Sequence, residues 1–217
     1  MYAYISPISN SLGHRSLVEK ADILHRDISE NNVMISPNPA PEEPKGFLID
    51  LDLAKYITAY ENSGASGRAG TQVFMAIEVL KGDVSHTLRH DLESFFWLFL
   101  WICATKERKP YIGRWPNPIQ SWTESPESAR TRKWVQVTNK DDFDKLLDLF
   151  HITFNSSVKQ LAREIKRVLF PLWMHKTGGM DGLRYIRYLE DAGYDNVIAA
   201  FDRCLKDNDL DRKVEGC

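Results

Sequence analysis

Two short stretches of the chain contain side chains suited to phosphate chemistry. They are HRDISENN (residues 25–32) and LIDLDLA (residues 48–54). Asn32 and Asp50 offer hard oxygen ligands for Mg²⁺, which usually takes one or two protein ligands and completes its shell with phosphates and water. Asp27 supplies a further carboxylate that can accept a hydroxyl proton. Because phosphoryl transfer needs mainly positioning and charge neutralisation, these three side chains form a sufficient minimal set.

A small β-hairpin is predicted to bring these side chains together. The segments VMIS (33–36) and GFLI (46–49) are typical of short antiparallel strands, and the connection PNPAPEEPKG (37–46) has four prolines, which favour an exposed loop. Asn32 precedes the first strand and Asp50 follows the second. Both side chains must therefore emerge at the same open end of the hairpin.

Four motifs, in this order along the chain, resemble segments of protein kinases. HRDISENN resembles the catalytic loop and LIDLDLA the metal-binding segment. GTQVFMAIE (70–78) resembles the end of the activation segment, and HDLESFFWLFLWIC (90–103) the central buried helix of the larger lobe. In their particular residues, these motifs are similar to those of the fungal-type protein kinase family.

The resemblance implies a catalytic role for five side chains. Asp27 would be the catalytic base, and Asn32 and Asp50 would bind Mg²⁺ and, through it, ATP. Arg26 would pair with a phosphate or carboxylate on the activation segment. Thr71 would help to seat the substrate hydroxyl.

Two further acidic residues are implied to be structural supports. Glu78 would anchor the activation segment through an arginine, for which Arg163 and Arg167 are the candidates. Asp91 would accept backbone amides from the catalytic loop.

The sequence departs from the kinase pattern at the phosphate-binding positions. Ser29 stands where Ser/Thr kinases have a lysine, and Leu51 and Asp52 stand where the DFG motif has phenylalanine and glycine. No catalytic-loop cation therefore faces the γ-phosphate. Whether Arg68 or Lys55 compensates is open.

The predicted fold is mainly α with a small β-hairpin, equivalent to a protein kinase-like C-terminal lobe over residues 1–217. The β-rich N-terminal lobe is expected to be absent, since the residues before His25 contain no Gly-rich loop and no strand lysine. We therefore expect the isolated chain to bind ATP weakly. The expected segments are the catalytic loop 25–32, metal-binding segment 48–54, activation segment 50–78, central helix 91–104 and helical remainder 122–206.

Helical periodicity supports several helices around this lobe. A short helix is predicted over 16–24, and Asn139 is predicted to cap a later one. Two apolar stripes indicate buried helix faces, and the basic cluster at 130–133 is expected to be solvated. The stripes are Phe143, Leu146, Leu147 and Phe150, and Val158, Leu161, Ala162, Ile165 and Leu169.

The amino-acid composition argues against some classes of binding partner and favours one cellular compartment. The formal net charge of −2 gives no basic footprint for nucleic acid. Three cysteines, an odd number, do not form a disulfide framework, so an intracellular location, cytoplasmic or nuclear, is expected. The longest apolar run, 95–104, is too short for a membrane span, which needs about 20 residues.

Three functions remain open. The leading one is a protein kinase, Ser/Thr-directed by resemblance, that transfers the ATP γ-phosphate to a protein hydroxyl of unknown substrate. A small-molecule phosphotransferase is favoured by Asp52 but opposed by GTQVFMAIE. A pseudokinase or interaction module would instead bind a partner on the apolar surface facing the absent lobe.

Overall fold

The structure is a computed structural model that describes residues 12–36, 46–57, 68–82, 84–111, 113–154, 156–170, 195–197, 199–200 and 203. Most of the predicted Pro-rich loop, residues 58–67 of the predicted activation segment and part of the predicted helical remainder lie outside these residues. The described helices are α1 Leu12–Ala21, α2 Ile77–Lys81, α3 Leu88–Thr105, α4 Asn117–Gln120, α5 Pro126–Thr138, α6 Lys140–Leu147 and α7 Ser156–Leu169. The predicted mainly α fold is confirmed.

The described strands form two separate antiparallel pairs. The predicted hairpin is present as β2 (Val33–Ile35) and β3 (Gly46–Leu48), in the register that sets Val33 opposite Leu48. A second pair joins β1 (Ile23–Leu24) to β4 (Lys55–Tyr56). The expectation of a single hairpin was therefore incomplete.

The helix expected over 16–24 was misplaced. It begins at Leu12 and ends at Ala21, because Asp22 has a left-handed φ of 56°. Asp is one of the few residues that tolerate this conformation. The next two residues then pair with Tyr56 and Lys55 instead of continuing the helix.

Helix α3 runs through the middle of the core. Nearly all of its side chains are buried, including Trp97 and Leu98, which have no exposed surface. It was expected over 91–104, and it starts three residues earlier because Thr87 is its N-cap. The Thr87 side chain and the ring of His90 form a capping box.

Helices α6 and α7 pack against α3, as their apolar stripes indicate. The Asn139 side chain accepts hydrogen bonds from the amides of Asp141 and Asp142 and so caps α6, as predicted. Every member of both apolar stripes is buried. The prediction that the basic cluster at 130–133 is solvated was wrong for Lys133, which is completely buried. No helix in the described part of the chain is long and apolar enough to span a bilayer.

Candidate active site

The open end of the β2–β3 hairpin holds the first two candidate residues. The amide of Ile49 donates to the carbonyl of Asn32 at 2.9 Å, which extends the pairing by one residue beyond the strands. Asn32 therefore lies opposite Ile49, and Asp50 follows directly. The backbone thus brings Asn32 and Asp50 to one end of the hairpin.

Asp27 is held by two other candidate residues. Its Oδ1 accepts the backbone amide of Thr71 at 2.7 Å and the Thr71 hydroxyl at 2.8 Å. Its Oδ2 accepts the side-chain amide of Asn32 at 3.1 Å. The carboxylate is half-buried and has lone pairs left on Oδ2. The catalytic loop and the segment beginning at Thr71 therefore meet at this side chain.

The buried side chain of Asn32 is oriented by its amide hydrogens. Its Nδ2 donates to the Asp27 carbonyl at 2.9 Å as well as to Oδ2. Among the described residues, its Oδ1 has no hydrogen-bond donor. Because the two donors fix the amide plane, Oδ1 is left as a positioned acceptor for a cation.

Asp50 differs from Asn32 in being exposed. Its φ is 66°, in the left-handed region, and its Oδ1 accepts the amide of Asp52 at 3.2 Å. This is a local turn of the kind that Asp side chains stabilise. Its second oxygen has no hydrogen-bond donor in the described part of the chain.

His25 bridges the two sides of this site, a role that the sequence did not reveal. Its Nε2 lies 3.1 Å from the Ile49 carbonyl, and its Nδ1 accepts the amide of Asp27 at 3.3 Å. Since a carbonyl only accepts, Nε2 carries the hydrogen and the ring is neutral. Burial lowers the pKa of His25, which favours this neutral form.

Arg26 connects the catalytic loop with the segment after Asp50. Its Nη1 donates to the carbonyl of Leu53 at 3.2 Å, and its backbone has a φ of 69°. A left-handed conformation in a long side chain is uncommon and persists only where surrounding contacts impose it. The predicted pairing of Arg26 with a carboxylate or phosphate stays a prediction.

Gly70 allows the close approach between these two chain segments. Its φ is 105°, and a Cβ at this position would lie 2.5 Å from the carbonyl oxygen of Arg26. No larger residue fits without moving backbone. Gly70 thus permits Thr71 to reach Asp27.

Asp91, in α3, holds the backbone of the catalytic loop. Its Oδ2 accepts the amide of His25 at 2.9 Å and its Oδ1 that of Arg26 at 3.1 Å, as the resemblance implied. Burial by itself would raise the pKa of this carboxyl, but the charges and hydrogen bonds of His86 and His14 hold it well below its usual value. Asp91 therefore stays ionised in the core.

Glu78 has different partners from those expected. Its Oε2 lies 3.2 Å from Nη1 of Arg89 and accepts Nε2 of His90 at 3.0 Å. Arg163, one of the two candidates, instead pairs with Asp144. Burial acts to raise the pKa of Glu78, but the His90 hydrogen bond and the Arg89 charge leave that pKa lowered.

The two cations considered for compensation, Arg68 and Lys55, have different surroundings. Arg68 lies against Gly82, where a Cβ would be 3.2 Å from its Nε. This places Arg68 at the C-terminal end of α2, where the helix dipole favours a cation. Lys55 is in β4, opposite Leu24.

The donor set fits Mg²⁺ better than a tightly caged metal. In the part of the chain that the structure describes, no group of three or more His, Cys, Asp or Glu side chains could hold a metal ion. Asn32 and Asp50 together offer two oxygen ligands, the small number that Mg²⁺ takes when phosphates and water complete its shell.

The comparison with protein families agrees with this arrangement. Residues 10–103 match the family model described as fungal protein kinase. The match covers the catalytic loop, the hairpin, Thr71 and nearly all of α3, and it confirms the family resemblance there. No curated protein matches the chain. The site is therefore kinase-like at the level of the family.

Proposed function

We propose that the chain is a protein kinase domain that transfers the ATP γ-phosphate to a hydroxyl group of a protein. The observation that carries the proposal is the Asp27 carboxylate, held between the Thr71 hydroxyl and the Asn32 amide. A base fixed in this way can accept the proton of an acceptor alcohol. Its 2.8 Å contact with the Thr71 hydroxyl is itself an alcohol–carboxylate hydrogen bond.

In this proposal each residue has one role in the transfer. Asp27 takes the proton as the acceptor oxygen bonds to the γ-phosphorus, and the bond to the bridging oxygen breaks to release ADP. Asn32 and Asp50 would hold Mg²⁺, which neutralises phosphate charge when bound. Thr71 orients the base, and Gly70 lets it do so.

A radiolabel assay tests the proposal. The chain is incubated with Mg²⁺, millimolar ATP labelled at the γ-phosphate, and general protein acceptors, and incorporation is compared between the wild type and Asp27→Asn. General bases contribute about 10²–10⁴-fold, so the variant should lose at least about 100-fold in rate. Asp148→Asn is the matched control, since its carboxylate is 77% exposed and pairs only with Lys159 among the described residues.

Equal transfer by Asp27→Asn and the wild type would remove Asp27 from its role. Labelling of aminoglycoside-like or choline-like alcohols in place of proteins would favour the small-molecule phosphotransferase.

A second candidate, an interaction module without catalysis, is favoured by exposed apolar side chains beside the site. Five such residues lie on the hairpin and on the segment after it: Met34, Phe47, Ile49, Leu51 and Leu53. Exposed apolar side chains at neighbouring positions of the chain favour a binding partner. No label transfer, combined with a stable complex lost in Leu51→Ser, would support this candidate over the kinase.

A further inference from the structure

Four donors converge on the buried carboxylate of Asp91, and two of them are imidazoles. Besides the amides of the catalytic loop, Nε2 of His14 lies 2.9 Å from Oδ2, and Nε2 of His86 lies 2.9 Å from Oδ1. Each carboxylate oxygen thus receives one backbone amide and one imidazole. Because an ionised carboxylate only accepts, both Nε2 atoms carry hydrogen.

The imidazoles come from two separate segments of the chain. His14 lies in α1, and His86 directly precedes the N-cap Thr87 of α3. The side chains of His14 and Asp91 have no exposed surface, and that of His86 is 4% exposed. Such side chains cannot exchange their partner for water.

Each imidazole is also oriented by a second ring. His14 meets Phe95 edge to face, with 5.4 Å between ring centroids, and His86 meets His90 in the same way at 5.4 Å. These contacts limit rotation of the two rings. Two fixed donors on opposite oxygens then fix the plane of the Asp91 carboxylate.

We propose that His14 and His86 are positioning residues for the catalytic loop. They orient Asp91 so that it holds the amides of His25 and Arg26, and this sets the backbone from which Asp27 projects. Arg26, whose amide is one of the two that Asp91 holds, has a left-handed φ that persists only where surrounding contacts impose it, and the Asp91 hydrogen bond is one of these contacts. The inference deepens the proposed function and rests on it for the role of Asp27.

The test compares donors of different length by amide hydrogen exchange in the folded chain. In Gln, the side-chain amide nitrogen reaches the position of Nε2, whereas in Asn it stops about one bond short. We therefore expect His14→Gln to keep slow exchange at His25 and Arg26. His14→Asn and His14→Leu should speed it by about tenfold, the effect of losing roughly one hydrogen bond.

His86 should behave in the same way, with the larger effect at Arg26, whose amide shares Oδ1 with His86. Ile165→Val is the matched control, because it lowers global stability by removing a buried methylene from α7, a helix that contributes no residue to this cluster. Exchange rates are compared after correction for the unfolding free energy of each variant.

Two outcomes would overturn the proposal. One is exchange at His25 and Arg26 in the Asn or Leu variants no faster than in Ile165→Val. The other is Gln variants that match the Asn variants, which would show that packing, and not the donor, is what matters. Because this readout needs no phosphate transfer, a failure of the proposed function leaves the exchange result intact and distinguishable.

Discussion

The two sides of the candidate site are built differently. On the catalytic-loop side, Asn32 is 7% exposed and Asp27 is held by hydrogen bonds from two separate segments. On the metal-binding side, Leu51 is 47% exposed, and the Asp50 carboxylate has one hydrogen bond within the described residues, a local turn bond from the amide of Asp52. One side is fixed by the core, and the other stands at the surface.

This difference follows from the contacts that hold each side of the site. The catalytic loop rests on Asp91, which is fully buried in α3 and ionised. The segment after β3 is joined to the loop through His25 and Arg26, which both bond to its backbone carbonyls. Local stability should therefore be high on the loop side and low on the other.

The largest expected effect is on the loop side. Asp91→Ala leaves two amides and two imidazoles without their acceptor, so we expect it to lower the free energy of unfolding by about 3–5 kcal/mol. Asp52→Ala on the exposed side should change it by less than about 0.5 kcal/mol. Urea unfolding of both variants measures this difference. Similarly small losses of unfolding free energy in the two variants would contradict the contrast between the two sides.

Lys133 should make stability depend on pH. Burial lowers its pKa from 10.5 to about 7, although its Nζ donates to the Met75 carbonyl at 2.7 Å. Between these pH values the unfolded chain holds the proton and the folded chain releases it. Raising the pH therefore stabilises the fold, by roughly 2–4 kcal/mol over this window.

The check is the difference between the wild type and Lys133→Met. The wild type should gain stability from about pH 7 to pH 10 relative to the variant, in chemical unfolding at each pH. Parallel pH profiles would mean that the lysine is charged in the fold across this window.

A smaller effect is expected at Gly70, where the segment before Thr71 approaches the catalytic loop. Gly70→Ala places a Cβ 2.5 Å from the Arg26 carbonyl oxygen, so we expect a loss of about 1–3 kcal/mol and weaker protection of the Thr71 amide. Gly113→Ala is the matched control, since Gly113 also has a positive φ but no atom within 4 Å of its added Cβ. Equal losses in both would leave only backbone strain as the cause.

The smallest effect belongs to the exposed side. Leu51→Ser and Phe47→Ser should each change the free energy of unfolding by less than about 0.5 kcal/mol, because both side chains are about half exposed. Thermal unfolding of each variant is the measurement. A loss near that of Asp91→Ala would show that the two sides are equally supported.

The local parts of the fold were readable from sequence. Turn and strand patterns gave the β2–β3 hairpin and its open end, and the Asn139 cap and the two apolar stripes are as predicted. Such features depend on neighbours a few residues apart, which propensity and periodicity describe.

The long-range parts were not readable. His14 and Asp91 are 77 residues apart, and nothing in either local pattern predicts their contact. Glu78 pairs with Arg89 and not with the arginines of α7, because Arg89 and His90 at the start of α3 lie within hydrogen-bonding distance of its carboxylate. Lys133 lies in a charged run, yet its Nζ lies in the core over the rings of Trp97 and Trp122.

The central claim is that residues 27, 32 and 50 share one magnesium–phosphate site. Mn²⁺ titrated into the labelled chain with ATP should broaden the amide signals of these residues first, as seen by NMR. Asp50→Asn should abolish that broadening and Asp148→Asn should leave it unchanged. The account would be contradicted if the amide signals of the acidic residues in α6 broadened first. It would also be contradicted if broadening at residue 32 persisted in Asp50→Asn.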